Sequence, residues 1–481
     1  MLWLCIALPQ LPLEALHCGH DGAVVVTAMA SNARWIVCCN PAAEQAHLEP
    51  GMNCTVALAV DPQLTMIERR APAEQAALER LAAWAYQFSS SVVLGEISSE
   101  LQRARGTTLW LEIGASLRLF GGLRPLIEDL ECELAQLGYS YRLGIGPTLE
   151  GAALLARAGI RMAITNPAAL CARSGELPIE KLALAPEIAQ QLYTSGVRTI
   201  GVLLDLPRDA LARRFGTQLG NFLDRLTGRI ADPRPAFRLP DAYEARCDFE
   251  FEVKSTEALL FPLRRVLGEL AGFLRARDSG VQHFTVTLTH RTIPATRLHI
   301  GSSAPGRDAQ RFFSLVREQL ERVELPAPTT QLYVSADELA APTALQSDFF
   351  SSALQQGEQL SHTIDRITAR LGEQQVQRIA PVADHRPEAA WTSTTPGAKS
   401  DATPSAARFP QRPLWLLPEP KPLQLSAIPQ VTAGPERIEG GWWDQGDLQR
   451  DYYVVRTSNG ADLWVYRDLT DRNWYLHGFW S

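Results

Sequence analysis

The sequence has 481 residues, of which 46% are hydrophobic, and it carries a formal net charge of −7. This length is sufficient for three or four domains with a substantial core, and the apolar fraction is ordinary for a globular protein. The negative charge argues against strong non-specific binding to nucleic acid, because that binding depends on basic side chains that neutralise phosphates. Any contact with DNA is therefore expected to be local or weak, and recruitment by other proteins suits this balance better.

No apolar run reaches the ~18 residues that a membrane helix needs. The apolar N-terminus lacks a basic start and a small-residue cleavage site, and Pro9 interrupts it. The eight cysteines show no C-x-x-C spacing, and Cys18 and His20 near Cys38-Cys39 are a poor match to a zinc site. We expect a cytoplasmic protein with no membrane contact, no cofactor and no bound metal.

The chain is organised around the stretch from Gly106 to Gly122. Leu109 to Ile113 is apolar in the way of a strand buried on both faces, and apolar residues recur at helical spacing from Leu123 to Leu137. A second apolar strand is predicted at Leu2 to Leu8. We expect these two strands to be neighbours in one sheet.

Both strands resemble the palm strands of the Y-family (translesion) DNA polymerases. The first strand corresponds to the run from Leu4 to Glu14, and the second to the run from Arg105 to Gly114 followed by Leu119-Phe120-Gly121. In this resemblance the metal-binding carboxylates of the family fall on four residues that are not acidic: Cys5, Ala7, Thr107 and Thr108.

The chemistry of the family makes these replacements important. Nucleotidyl transfer uses two Mg²⁺ ions about 3.5–4 Å apart. Mg²⁺ prefers hard oxygen ligands, usually carboxylates with phosphates and water, whereas sulfur selects softer metals. We therefore expect no catalytic residues and no polymerase activity. The alternative is an active polymerase in which other acids, such as Glu14, Glu112 or Asp129, hold the ions.

The resemblance implies an α+β multidomain fold in the form of a right hand. It comprises a palm with small fingers, a helical thumb with a helix-hairpin-helix, an α+β little finger, and a partly disordered C-terminal region that ends in a small β module. The expected domains are residues 1–165 (palm and fingers), 166–235 (thumb), 240–338 (little finger), 339–433 (clamp-motif segment and linker) and 434–481 (β module).

The first of these domains contains five further predicted elements. Three are strands, one is an amphipathic helix and one is a helix rich in small residues. The strands are Ala23–Ala30, Arg34–Cys39 and Tyr141–Pro147, and the helices are Ala73–Phe88 and Thr148–Ala158.

Leu192 to Leu204 has the form of a helix-hairpin-helix turn. Such a hairpin presents backbone N–H groups at a helix N-terminus to a phosphate without reading the base sequence. The predicted DNA contacts are Gly196, Arg198, Thr199 and Gly201. The alternative is a hairpin that packs against its neighbours and makes no DNA contact.

The predicted little finger reads strand–helix–strand–strand–helix–strand. The predicted bounds are Phe249–Lys254, Leu259–Arg275, His283–His290, Ala295–Ile300, Ala309–Val323 and Thr330–Ser335. Six arginines are candidates for a face that contacts the DNA backbone, namely Arg264, Arg265, Arg275, Arg277, Arg291 and Arg297. Acidic residues are about as frequent in this domain, so a merely solvated surface is the alternative.

The run from Leu345 to Phe350 resembles the pentapeptide by which proteins bind the sliding clamp, with Phe349 in place of the usual leucine. A glutamine for polar contacts and two large apolar anchors suit a groove on a partner protein. The predicted clamp-binding residues are Gln346, Ser347, Asp348, Phe349 and Phe350.

The remainder of the chain is predicted to hold a helix from Gly357 to Gly372, and disorder from Thr392 to Arg412. Aromatic residues are dense from Gly434 to Ser481, and turn sequences at 458–460 and 471–473 predict a small antiparallel β module. Such modules usually bind protein or pack on the body of the molecule. Stacking on single-stranded bases is the second choice.

Three segments resemble one branch of the family, the ImuB-type proteins, which have lost the catalytic acids. They are Asp384–Trp391, the run that begins at Arg412, and the tail that begins at Gly434. The resemblance implies a non-catalytic scaffold in damage-induced mutagenesis. Its implied partners are the sliding clamp, an error-prone C-family DNA polymerase and a RecA-like partner of the ImuA type. A structural DNA-binding protein without clamp contact is a further alternative.

Overall fold

The structure, a computed structural model, describes residues 1–16, 22–30, 32–97, 107–341, 351–372, 374–396, 412–413, 415–423, 430–441 and 447–480. The clamp-like motif at 346–350 and Cys18 with His20 lie outside the described residues. The chain divides into two compact units, Met1–Arg370 (unit 1) and Leu371–Ser481 (unit 2), which are described separately.

The first region of unit 1 alternates strands and helices. Its elements are β1 (Trp3–Leu8), α1 (Leu11–Glu14), β2 (Val24–Ala30), β3 (Ala33–Cys39), α2 (Pro41–Gln45), α3 (Cys54–Val60), β4 (Thr65–Glu68), α4 (Ala71–Ala85), β5 (Val92–Leu94), β6 (Thr107–Glu112), α5 (Leu123–Leu137), β7 (Arg142–Gly146) and α6 (Leu149–Ala158). The eight helices and strands predicted here by pattern, counting β1, β6 and α5 with the five listed above, are each present, with ends that agree or are shifted by a few residues.

Two sheets form this region. The larger has the strand order β5-β6-β1-β7, and the smaller has the order β3-β2-β4. Strand β1 is antiparallel to both β6 and β7, so the two predicted strands are neighbours, as expected. Because side chains alternate along a strand, Leu4, Ile6 and Leu8 face the core formed with α4 and α5, while Cys5 and Ala7 face α6.

A helical region follows. Its helices are α7 (Pro167–Gly175), α8 (Pro186–Thr194), α9 (Ile200–Asp205), α10 (Arg208–Phe215) and α11 (Thr217–Thr227), with a 3₁₀ turn at Ile179–Leu182. Leucines, Val197 and Ile200 from these helices share one small core.

The third region of unit 1 follows the predicted order of strands and helices. Its elements are β8 (Tyr243–Val253), α12 (Thr256–Ala276), β9 (Gly280–His290), β10 (Thr296–Gly306), α13 (Ala309–Leu320), β11 (Thr329–Ala336) and the short β12 (Leu339–Ala340). The sheet order is β10-β9-β11-β8, with β12 paired to β9. Apolar residues of α12 and α13 pack on one face of this sheet, which confirms the predicted α+β character.

Both outer strands of this sheet are contacted by helices. The backbone N–H of Ser303 in β10 donates to Asp365, 2.7 Å away, on α14 (Ser351–Leu371). Asp365 also pairs with Arg311. On the opposite side, Arg80 of α4 donates to the backbone carbonyl of Arg246 in β8 at 3.3 Å. Each sheet edge is thereby tied to a neighbouring helix.

Unit 2 is a β structure. Its strands are β13 (Arg378–Pro381), β14 (Trp391–Thr394), β15 (Trp415–Pro422), β16 (Gln430–Gly440), β17 (Leu448–Arg456), β18 (Asp462–Asp468) and β19 (Trp474–Phe479). The last five form an antiparallel sheet in the order β15-β19-β18-β17-β16. The predicted turns at 458–460 and 471–473 join its strands, and the sheet begins earlier in the chain than predicted.

The prediction of disorder from Thr392 is wrong for its first residues, because Thr392–Thr394 belong to β14 and pair with β13. Composition does not reveal that pairing, since the partner strand is separate in sequence. The 3₁₀ turn at Pro387–Ala389 lies between the two strands, and its Glu388 pairs with Arg450 of β17 at 2.8 Å. This segment is therefore part of the β unit.

Within the residues that the structure describes, no helix has the length and apolar character needed to cross a membrane.

Candidate functional site

The strand register decides which of the four replaced acidic positions lie together. Ala7 is opposite Thr108, Cys5 is opposite Trp110, and Leu8 is opposite Thr107. Residues directly opposite one another in an antiparallel pair share a face of the sheet. Cys5, Ala7 and Thr108 therefore lie on one face with Trp110, and we call these four residues the degenerate centre. Thr107 lies on the other face.

The degenerate centre is closed and mainly apolar. Cys5 is fully buried, and Ala7 and Thr108 are 4% and 7% exposed. Helix α6 can lie directly on the sheet because Gly144 of β7 has no side chain. A Cβ atom there would stand 2.2 Å from the Ala152 carbonyl oxygen. Burial raises the pKa of the Cys5 thiol to about 12, so this group keeps its proton at neutral pH.

Trp110 lies opposite Cys5 on the same face of the sheet, and the guanidinium of Arg234 lies over its indole ring. Its Nε1–H donates to the Leu149 carbonyl oxygen at 2.9 Å. The Arg234 guanidinium lies 4.7 Å from the indole centroid, within the range of a cation–π contact. Arg234 also pairs with Glu150 at 2.5 Å and Asp232 at 2.7 Å. Both nearby carboxylates are thus engaged by an arginine of the chain itself.

These residues do not fit a pair of Mg²⁺ ions. The face offers a protonated thiol, a methyl group and a hydroxyl group, whereas Mg²⁺ prefers carboxylate and phosphate oxygens. Across the described ranges of the chain, no three His, Cys, Asp or Glu side chains are grouped so as to hold a metal ion. A polymerase step that depends on two metal ions therefore has no ligand set at this position.

The alternative acids do not converge on another site. Glu112 lies at the far end of β6 from Thr107, where its carboxylate accepts from the backbone N–H of Leu2 at 3.0 Å. Glu14 accepts from the N–H of Ser140 at 2.7 Å, and burial raises its pKa. Asp129 is exposed on α5. Glu112 and Glu14 act on backbone groups, and the three acids sit on separate elements.

The predicted hairpin is present between α8 and α9. Gly196 has φ +85, a backbone conformation that favours glycine and that ends α8. The chain then pairs with the preceding turn, because Ile179 N–H donates to the Arg198 carbonyl at 3.1 Å and Ile200 N–H donates to the Leu177 carbonyl at 2.9 Å. The four predicted contact residues are therefore brought into one turn.

These four residues differ in exposure. Gly196 and Arg198 are exposed and Thr199 is half-buried. The Arg198 guanidinium lies 3.3 Å from the centroid of the Tyr193 ring, so it rests on the C-terminal end of α8. Gly201 packs against α7, where a Cβ atom would stand 3.0 Å from the Gly175 carbonyl oxygen. Packing explains this glycine without a DNA contact.

Of the six arginines proposed for a DNA-contacting face in the third region, Arg265 is contradicted by its burial, and the other five stay a prediction. Arg265 is buried, and its guanidinium donates to the Leu137 carbonyl at 2.8 Å. Three others pair with acids: Arg275 with Glu133 at 2.6 Å, Arg277 with Asp241 at 2.8 Å and Arg291 with Glu252 at 3.3 Å. The sequence pattern of α12 does not reveal that one of its sides faces α4 and α5.

Sequence reasoning also missed the contact between Trp110 and Arg234. The available signals were a tryptophan inside an apolar strand and the run Asp232-Pro233-Arg234-Pro235, which lies in the linker between α11 and β8. This linker is bonded to the sheet, since the Phe237 N–H donates to the Val92 carbonyl at 2.7 Å.

Similar proteins include ImuB from two strains of one bacterium. No family model matches the chain. Protein ImuB of Caulobacter vibrioides strain NA1000 / CB15N is 29% identical over 471 residues, which cover 90% of this chain and 100% of that protein. The ImuB of strain ATCC 19089 / CIP 103742 / CB 15 gives the same values.

Solved structures with similarity are DNA polymerases. An insertion ternary complex of Dbh DNA polymerase is 14% identical, with a TM-score of 0.40, and covers 70% of this chain and 99% of that chain. The crystal structure of DinB from Sulfolobus solfataricus is 14% identical, with a TM-score of 0.39, and covers 70% of this chain and 98% of that chain.

The match to ImuB extends over almost all of the chain, including both units. At 29% identity, the chain is similar to ImuB along most of its length.

Proposed function

We propose that the protein is a non-catalytic scaffold in damage-induced translesion synthesis and mutagenesis. It links the sliding clamp to an error-prone C-family DNA polymerase and to a RecA-like partner of the ImuA type. The observation that carries this proposal is the degenerate centre, where Trp110 and α6 close the face that contains Cys5, Ala7 and Thr108. The alternative of an active polymerase with displaced ligands is disfavoured because Glu14, Glu112 and Asp129 do not converge.

Primer extension tests the absence of catalysis. We expect no extension of a primed template by the purified full chain with Mg²⁺ or with Mn²⁺, under conditions in which an active Y-family polymerase extends the same primer. Sustained extension that stays with the protein through every purification step would overturn the proposal.

The clamp contact is proposed for Gln346, Phe349 and Phe350, which resemble the clamp-binding pentapeptide. The test is a pull-down of the sliding clamp by the full chain and by a variant with these three residues changed to alanine. A matched control changes Gln374, Gln375 and Gln377, which are exposed beyond α14, to alanine. Loss of clamp in the first variant only is expected. Equal retention by all three proteins would place the clamp contact outside these three residues, and retention by none of them would favour a DNA-binding protein without clamp contact.

The hairpin is proposed to contact a DNA backbone through Gly196, Arg198, Thr199 and Gly201. The exposure of Gly196 and Arg198 supports this role, although Gly201 has a packing role of its own. Replacement of Arg198 by alanine is expected to weaken DNA binding equally for different sequences and to lower the salt slope by about 1, because one phosphate contact is lost. Replacement of the exposed Arg124 on α5 is the control. An unchanged affinity would identify a hairpin that only packs.

The remaining partners are tested by co-purification with the full chain. We expect the C-family polymerase and the RecA-like protein each to be retained by the immobilised protein when the other is absent. Retention of neither would restrict the scaffold to the clamp and DNA.

A further inference from the structure

Helix α12 of the third region packs against the first region of unit 1, along α4 and α5. Gly268 and Gly272 lie one helical turn apart on this side of α12. A Cβ atom at position 272 would stand 2.2 Å from Trp84 Cδ1, and one at position 268 would stand 2.7 Å from Leu137 Cδ2. Trp84 is fully buried. The two glycines therefore allow the helices to approach to direct contact.

A buried ion pair lies between the two glycines. Arg80 Nε is 2.8 Å from Glu269 Oε2, and the two side chains are 7% and 0% exposed. The Tyr139 hydroxyl donates to the other carboxylate oxygen of Glu269 at 2.8 Å. Both oxygens of this carboxylate are thus satisfied by the first region. Separating the helices would leave a charge of each sign without its partner in place.

Arg265 makes a second polar connection one turn earlier on α12. Its guanidinium donates to the carbonyl oxygens of Leu137 and Gly138, at 2.8 and 2.9 Å, and to that of Glu14 at 2.9 Å. Leu137 and Gly138 form the C-terminal end of α5, where carbonyl groups lack partners within the helix. The guanidinium also lies 4.2 Å from the centroid of the Tyr139 ring.

The rim of the contact is polar as well. Arg275 pairs with Glu133 at 2.6 Å and donates to Gln87 at 2.6 Å. Glu133 also accepts from Trp84 Nε1–H at 2.9 Å. We call this whole contact, from Arg265 to Arg275 and its partners on α4 and α5, the α12 joint.

We propose that the α12 joint holds the first region and the third region of unit 1 as one rigid body. The β5-β6-β1-β7 sheet and the β10-β9-β11-β8 sheet then keep a fixed spacing with or without DNA. The buried pair and the close helix contact both oppose hinge motion, because opening exposes charged groups and a tryptophan together. The connecting linker adds to this restraint through Phe237 and Arg234. The inference concerns motion within unit 1 and does not rest on the proposed scaffold function.

Distance measurement between two spin labels tests the proposal on the full chain. One label is placed on the native Cys132, which is exposed on α5, and the other on an introduced cysteine at His299→Cys, exposed on β10. Cys18 and Cys171 are replaced by serine in this background. A single narrow distance distribution is expected, with the same centre in the free protein and with a primed template. Two populations, or a shift on addition of DNA, would overturn the proposal.

A wedge in the joint and a matched control identify the cause of the rigidity. Gly272→Ala introduces the methyl group that meets Trp84, whereas Gly220→Ala on α11 introduces one that meets nothing within 4 Å. We expect Gly272→Ala to broaden the distance distribution and Gly220→Ala to leave it unchanged. If the wedge variant fails to fold, Arg275→Gln at the rim is the second variant, with broadening again expected. An unchanged distribution in the folded variant would show that the joint does not hold the regions together.

Discussion

The degenerate centre and the α12 joint are both buried, but they use charge in opposite ways. At the degenerate centre the strand face carries a thiol, a methyl, a hydroxyl and an indole, and the nearest carboxylates are neutralised by Arg234. At the joint a carboxylate and a guanidinium are fully enclosed and satisfy one another. A metal centre needs negative oxygens that are free to bind the ion, so the comparison shows that the buried pair of Arg80 and Glu269 serves contact between helices.

The largest effect is expected when one partner of the joint is removed. Glu269→Ala leaves the Arg80 guanidinium buried without its counter-charge, which costs about 3–5 kcal/mol in the free energy of unfolding. Urea unfolding followed by tryptophan fluorescence measures this cost. Glu128→Ala is the control, since it removes an exposed pair with Arg124 and is expected to change nothing measurable. Equal effects of the two variants would contradict the assigned importance of the buried pair.

A smaller loss is expected at the degenerate centre. Trp110→Leu removes the bond to the Leu149 carbonyl and the contact with Arg234, and leaves a void, for a total of about 2–3 kcal/mol. The same unfolding experiment applies. Trp415→Leu, at a tryptophan that is 59% exposed, is expected to cost less than about 0.5 kcal/mol. If both tryptophans prove equally replaceable, the centre is not closed by Trp110.

A still smaller effect is expected for the cation above the centre. Arg234→Met keeps an apolar side chain over Trp110 but loses the pairs with Glu150 and Asp232, for about 1 kcal/mol, because the side chain is 23% exposed and partly screened. Arg229→Met, at an arginine that is mostly exposed, is the matched control. A gain of stability in Arg234→Met would mean that the ion pairs do not hold the linker.

The smallest effect is expected for the reactivity of the Cys5 thiol, which should remain almost unmodified by an alkylating reagent. With a pKa of about 12, the Cys5 thiol is ionised to only ~10⁻⁴ at pH 8, and the ionised fraction rises tenfold for each unit of pH. Iodoacetamide at pH 8 is therefore expected to modify the exposed Cys132 and to leave Cys5 unmodified, as read by mass spectrometry of peptides. Modification of both residues at the same rate would mean that the centre is open.

The sequence was sufficient to predict that β1 and β6 are neighbours, because both are apolar strands and both resemble the palm strands of one polymerase family. The alternation of side chains along a strand also predicts that the adjacent Thr107 and Thr108 point to opposite faces of the sheet, as the register with β1 shows. The regular alternation of the third region likewise predicted its six main elements in the right order.

The sequence alone could not predict which elements pack against α12. Gly268 and Gly272 indicate that something approaches the helix closely, but the pattern does not say which element does so. In the sequence, Arg265 and Arg275 look the same as arginines that contact phosphate. Only the structure distinguishes them, because it shows that Arg265 is buried and that Arg275 pairs with Glu133. The contact between Arg234 and Trp110 is equally non-local, because it joins a proline-rich linker to a strand far earlier in the chain.

The helices that border the third-region sheet limit how a peptide can associate with it. Ser303 in one outer strand already donates its N–H to Asp365, and Arg246 in the other already accepts from Arg80. A foreign strand that aligned with either border would have to displace these bonds before its own backbone could pair. Ligands are consequently expected to bind the face of this sheet or its connecting turns rather than its edges. Polymerisation of copies by pairing of their sheet edges is disfavoured for the same reason.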